Sequence, residues 1–131
     1  EFGIPISAKV GAVMPMMRSA TGRVFASYLP EAVVQPLIEK ADQAHTHLTW
    51  QEFVPLKQHI LQQEMCVIEG DMMAGINAIA APVFDANNDV VFVVTCLGSA
   101  DKISAEPQGT HAQAVLQAAR TISAHLGQHR S

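Results

Sequence analysis

Basic clusters are missing from this 131-residue chain: its eight Lys and Arg are scattered singly against twelve Asp and Glu, for a formal net charge of −4. Holding nucleic acid requires a positive stripe that neutralises phosphates, so the chain by itself is not expected to bind DNA or RNA. Aromatics are equally scarce, with one Trp and one Tyr. Long hydrophobic runs are absent too. The longest, Ile76 to Phe84 and Val90 to Leu97, are strand-sized and far below the roughly 20 residues of a membrane span. No basic start leads into an apolar stretch, so nothing reads as an export signal. Only two cysteines occur, Cys66 and Cys96, each within an apolar strand-like segment. A secreted domain of this size would more often carry a disulfide framework. Two isolated thiols fit a reducing cytoplasm better, although two cysteines can also pair. Glycine-rich phosphate loops, repeats and low-complexity tracts are lacking as well.

What remains is 49% hydrophobic and 15% charged, enough for one folded domain around one core and too short for two. Ile4 to Val10 alternates apolar with small or polar residues and reads as a half-buried strand. Ser19 is placed to cap a helix running to about Leu29, where Pro30 stops it. Pro30-Glu31 opens a second helix through Lys40, with Val33, Val34, Leu37 and Ile38 expected inward and Pro36 as an irregularity. Residues 41–48 read as a loop. Thr49 and Glu52 have capping-box spacing before a helix with an apolar stripe of Leu56, Ile60 and Leu61, ending near Gln63.

Three strands follow: Met65 to Glu69, a Gly70-Asp71 bend, Ile76 to Phe84, the turn residues Asp85 to Asp89, and Val90 to Leu97 as the second arm of an antiparallel hairpin. A last helix begins near Glu106-Pro107 and runs to Leu126, with Ala112, Val115, Leu116, Ala119, Ile122 and Leu126 on one face and Gly127 as its stop. Helices grouped between hairpin-forming strands define an α+β domain, with helices covering an antiparallel sheet. The first strand calls for a neighbour that the chain does not supply, so the sequence reads as the latter part of a larger domain.

The chemistry available is that of binding more than of catalysis. Ser19-Ala20-Thr21-Gly22 opens a helix, where unpaired amide N–H groups and the positive end of the helix dipole can receive a carboxylate; the plainer reading is that Ser19 only caps and Gly22 only packs. Strand alternation places Ile76, Ala78 and Ala80 on one face, and Thr95 and Leu97 on one face of the partner strand, to line a pocket or to fill a core. Met14 and Met16 suit an adaptable apolar rim, and Arg18 beside them would pair with an anion or stay solvated. His45 and His47 invite a metal reading, but no cysteine or carboxylate lies at a partner spacing. Cys66 and Cys96 neither open a helix nor follow a glycine elbow, and strand burial makes a thiol inert. No catalytic residue, metal or cofactor is expected.

Three stretches bear a family likeness. Gly11-Ala-Val-Met-Pro15 through Ser19-Ala-Thr-Gly22-Arg23, followed by Leu29-Pro30-Glu31, resembles the pocket loop and first helix of the IclR family of bacterial transcription regulators. Ala78-Ile79-Ala80-Ala81-Pro82-Val83-Phe84-Asp85 is similar to its signature strand, and Ala118 to Gly127 to its last helix. The match runs in order from about Ile4 to Gly127. The resemblance implies a GAF-like effector-binding domain, lacking here its first helix and strands and the winged helix-turn-helix that would contact DNA. It implies a cytoplasmic homodimer or homotetramer, a small-molecule effector (a carboxylate or aromatic compound), and no membrane or catalytic role. The effector would meet Ile6, Met14, Met16, Ser19, Ala20, Thr21, Gly22, Ile68, Ile76, Ala78, Thr95 and Leu97. Departures bear on specificity: Glu64 stands where the family has Gly, Ile68 where it has an acidic or hydroxyl residue, Ala78 where Cys or Ser is frequent, and Met17 where His is frequent. Losing those polar groups predicts a more apolar ligand. A cysteine-dependent small hydrolase and a ligand-free oligomerisation module are the alternatives.

Overall fold

The computed structural model describes residues 19–43, 48–70 and 75–129, with the side chains of 41–43 excepted. Four helices, α1 (Ala20–Tyr28), α2 (Glu31–Gln43), α3 (Trp50–Gln63) and α4 (Thr110–His125), accompany three strands, β1 (Cys66–Glu69), β2 (Ile76–Phe84) and β3 (Val90–Ser99). The strands form an antiparallel sheet in the order β1-β2-β3. The domain is α+β, as the sequence predicts.

Because side chains alternate along a strand, the sheet has two distinct faces, and each has its own helix. Cys66, Ile68 and Ala80 point to one face and pack with Ala20, Val24 and Ile60 of α1 and α3. Ile79, Ala81 and Val83 point to the other and pack with Ala112, Val115, Leu116 and Ala119 of α4. Outside α1, a third cluster of Ala26, Val34, Ile38 and Phe53 joins α2 and α3 to it. The strand expected over Ile4 to Val10 lies outside the described residues.

Local chemistry explains most of the element ends. Ser19 Oγ accepts from the Gly22 N–H at 3.0 Å and starts α1. Thr49 and Glu52 form a reciprocal capping box at the start of α3; the Thr49 N–H, then its hydroxyl, hold the Glu52 carboxyl below its ordinary value. The α3 C-cap is Glu64 in the left-handed region at φ 59°, and its carboxylate accepts from Arg120 at 2.7 Å. Asp85 Oδ1 accepts from the Asn87 and Asp89 N–H groups in the β2–β3 turn, and a register irregularity at Val83/Phe84 sets Phe84 opposite Val90 and Val83 opposite Phe92.

Several expectations are corrected. Val33 and Leu37 are half-exposed while Val34 and Ile38 are buried, since α2 meets α3 along a stripe too narrow for all four. The same narrowness leaves Leu61 exposed beside buried Ile60, and leaves Ile122 and Leu126 exposed on α4, where Ser123 is the buried residue. α2 continues past Pro36 to Gln43, so residues 41–43 are helix rather than loop. α4 starts at Thr110, with Gly109 as cap, later than the sequence suggests: Glu106 and Pro107 belong to a turn that Gly109 closes on the Glu106 carbonyl.

Candidate functional site

The sheet face beneath α1 gathers most of the candidate residues. The register sets Ile68 opposite Ala78, Ala78 opposite Leu97, and Ala80 between Cys66 and Thr95. Residues directly opposite in an antiparallel sheet share a face, so these rows line one surface. Above it sits the start of α1. Ala20 is buried against Ile68 and Ala80, and Thr21 Oγ1 lies 2.6 Å from Thr95 Oγ1. That hydroxyl pair joins residues 74 apart in the chain and is a polar contact between helix and sheet.

The remaining candidates divide. Ser19 is buried and occupied as a cap, its oxygen taken by Gly22. Ile68 and Ile76 are buried at 3% and 7% exposure; Ile76 faces Ser99 at the far end of β2, and Leu97 is 43% exposed. Ile6, Met14 and Met16 lie outside the described residues, as do Met17, Arg18, His45 and His47.

A concavity elsewhere on the domain was not legible in the sequence. A cavity of about 260 Å³ lies between α3 and the outer edge of β1, lined by Leu56, His59, Gln63, Cys66, Glu69 and Glu106 among others. Its walls come from segments far apart in the chain, so no local motif announces it. Cys66 and His59 share this cavity, but Cys66 is 5% exposed. Cys66 and Cys96 point to opposite faces with β2 between them, and neither forms a disulfide. Adjacent strands lie about 4.8 Å apart, which puts two strands' separation beyond the roughly 7 Å a disulfide tolerates; the pairing left open by the sequence is excluded. Among the described residues, no group of three or more His, Cys, Asp or Glu is placed to hold a metal ion, and no helix is long and apolar enough to cross a membrane.

Where β3 ends, Asn77 Nδ2 donates to the Ile103 carbonyl at 2.8 Å, and a Cβ on Gly98 would come within 2.9 Å of Ile103 Cγ1. Glycine at 98 is thus required by the loop folding back on the sheet. Nearby, the Ser99 hydroxyl donates to Asp101 and holds that carboxyl below its usual range.

An antiparallel sheet with α1 packed on one face and α4 on the other is an architecture also seen in solved structures. The profile described as "Bacterial transcriptional regulator IclR C-terminal" matches residues 3–124, and the chain belongs to that family. Pseudomonas aeruginosa HmgR shares 34% identity and a TM-score of 0.87, over 98% of this chain and 52% of that one. The uncharacterized HTH-type transcriptional regulator RhmR of Escherichia coli K12 is 27% identical over 95% of this chain and 49% of its own length. The inducer-binding domain of a PobR double mutant from Acinetobacter, solved with 3-hydroxybenzoic acid, aligns at TM-score 0.68 and 24% identity, over 88% of this chain and 68% of that one. The chain spans about half the length of the curated relatives it matches.

Proposed function

We propose that the chain is the effector-sensing and self-associating part of a DNA-binding transcription regulator. A small molecule lodges between the start of α1 and the sheet face carrying Ala78, Ala80 and Thr95. Its unequal affinity for two arrangements of the domain shifts how paired subunits, as homodimer or homotetramer, present their DNA-binding domains. DNA is contacted by a winged helix-turn-helix outside this chain, and the protein works in the cytoplasm without catalysis. The observation that carries the reading is the Thr21–Thr95 hydroxyl pair where the Ser19-capped helix start meets the sheet row of Ala78 and Leu97: fixed polar groups beside an apolar wall are the combination a ligand site needs. An aromatic acid in the PobR inducer-binding domain supports the ligand class.

The test is a thermal-shift screen with aliphatic and aromatic carboxylates and neutral aromatics. Binding to the native state raises the melting temperature by mass action. A saturable shift that Ala78→Trp abolishes, in a variant that remains folded, supports the site. No shift from any class would favour a ligand-free oligomerisation module.

A further inference from the structure

The backbone at the outer edge of β1 faces the cavity beside α3, and the parity of the ladder identifies the groups that do so. The Gly70 N–H donates to the Ile76 carbonyl, and across β2 the Ala100 N–H donates to the Gly75 carbonyl. Hydrogen-bonded pairs alternate along an antiparallel ladder. Cys66 and Ile68 therefore turn their N–H and C=O groups to Ala80 and Ala78 of β2, whereas Val67 and Glu69 turn theirs outward. Among the described residues no strand covers that edge. Both outward residues line the cavity of about 260 Å³, with Leu56, His59 and Gln63 of α3 along one wall and Glu106 of the loop before α4 along the other. Negative charge gathers at one end: Glu69 closes β1, and Glu69 and Glu106 together border the neighbouring concavity as well.

An outward residue on an antiparallel edge offers an N–H and a C=O spaced to exchange two hydrogen bonds with one residue of an added strand. A lone carboxylate or amine engages only one of the two. Direction follows from charge. Antiparallel addition brings the newcomer's amino terminus to the carboxyl end of β1, where its three ammonium donors meet Glu69 and Glu106. Parallel addition would set a carboxylate against them. The cavity is smaller than the roughly 300 to 1,000 Å³ of sites for drug-sized ligands, which limits the occupant to two or three residues.

We propose that the outer edge of β1 is a peptide-binding site, which takes a short peptide of two or three residues with a free amino terminus. The peptide lies antiparallel to β1, exchanges two hydrogen bonds with Val67 and sets its ammonium against Glu69 and Glu106. This site is separate from the one proposed beneath α1. Ile60 and Cys66 line the cavity and also pack with Ala20 and Val24 of α1, so packed side chains wall it off from that face.

The probe is tri-alanine, titrated into the 131-residue chain by calorimetry and amide NMR. Two modified probes test its two ends of the argument: N-acetyl-tri-alanine lacks the ammonium, and tri-alanine N-methylated at its central residue lacks the N–H meant for the Val67 carbonyl. Val67→Pro removes the outward N–H, which proline can do on an edge strand without breaking the ladder. The double variant Glu69→Gln/Glu106→Gln removes the charge. Circular dichroism confirms that each variant is folded, and if Val67→Pro is not, the modified probes and the glutamine variant carry the test. Tri-alanine is expected to bind saturably in the millimolar range or tighter and to protect the Val67 amide from exchange while leaving Ile68 unchanged. Each modification should weaken binding by about fivefold or more, as for one lost hydrogen bond. No saturable binding in that range, or equal binding of the acetylated and methylated probes, would overturn the proposal. So would tri-alanine that perturbs Ala78 and Thr95 but not Val67, since it would then sit beneath α1. None of these outcomes removes the effector site proposed there.

Discussion

Ser123 offers a clean measurement of how α4 is fastened to the sheet. It is 1% exposed, and its oxygen does two things: it donates to the Ala119 carbonyl and accepts from the Phe84 N–H, both at 2.9 Å. β1 pairs with β2 only as far as Ala80, so among the described residues the last residues of β2 have no strand on that side, and the helix supplies the acceptor to Phe84. Ser123→Ala removes one oxygen and leaves almost no cavity, so the effect is polar. Losing the bond costs about 1 kcal/mol, rising toward about 3 if the Phe84 N–H stays dry. Alanine's better helix propensity returns about 0.5 kcal/mol. The net loss is about 0.5 to 2.5 kcal/mol, or a urea midpoint lower by about 0.25 to 1.25 M at an m-value near 2 kcal/mol per M. The m-value itself should not change. Amide exchange gives the local readout: Phe84 should lose protection relative to Ile79, which keeps its strand partners. An unchanged midpoint together with unchanged exchange at Phe84 would refute the fastening.

Further outcomes follow from the same geometry. Thr49→Ala should cost about 1 kcal/mol as a lost N-cap. Glu52, held below 4.5 by the Thr49 N–H first and hydroxyl second, stabilises fully above that value and ceases to do so as pH falls through its lower folded value. The stability gap between wild type and Glu52→Gln should therefore shrink on acidification, and a gap equal at neutral pH and about pH 3 would contradict this. Iodoacetamide at neutral pH should modify half-buried Cys96 before buried Cys66 and neither rapidly; fast, selective alkylation of Cys66 would revive the hydrolase reading. Glu64→Gly relieves a left-handed residue worth about 1 kcal/mol and gives up the part-exposed pair with Arg120, worth up to about 1. Chemical denaturation should thus find it near wild type, whereas Glu64→Val should lose more than about 1 kcal/mol.

Much of the fold could be read in advance because its signals are local. The capping box at Thr49, the Asp85 to Asp89 turn and the apolar run of β2 each need fewer than ten neighbouring residues to be recognised. Which of two adjacent apolar rows faces inward could not be read. Val33 and Val34 are chemically alike, and only the position of α3 decides between them. The candidate site was legible in the same uneven way. Resemblance and strand parity brought Ala20, Ala78, Thr21 and Thr95 to one place, but nothing in the sequence indicated that two threonines 74 residues apart would bond to each other. The cavity beside β1 was invisible for the same reason, being assembled from α3, β1 and the loop before α4.

The irregularity near the hairpin tip bears on how this sequence can change over generations. Val83 faces Phe92 and Phe84 faces Val90, so Val91 is an extra residue that the ladder absorbs. A one-residue slip along a strand would exchange its two faces, turning Ala78 and Ala80 toward α4 and Ile79 toward α1. Because the hairpin already holds its odd residue at the tip, insertions and deletions among residues 85–91 can be taken up there without shifting the rows from Val83 inward. The tip can be lengthened or shortened by mutation while Ala80 stays beside Thr95, so the loop is free to diversify and the parity of the sheet face beneath α1 is inherited intact.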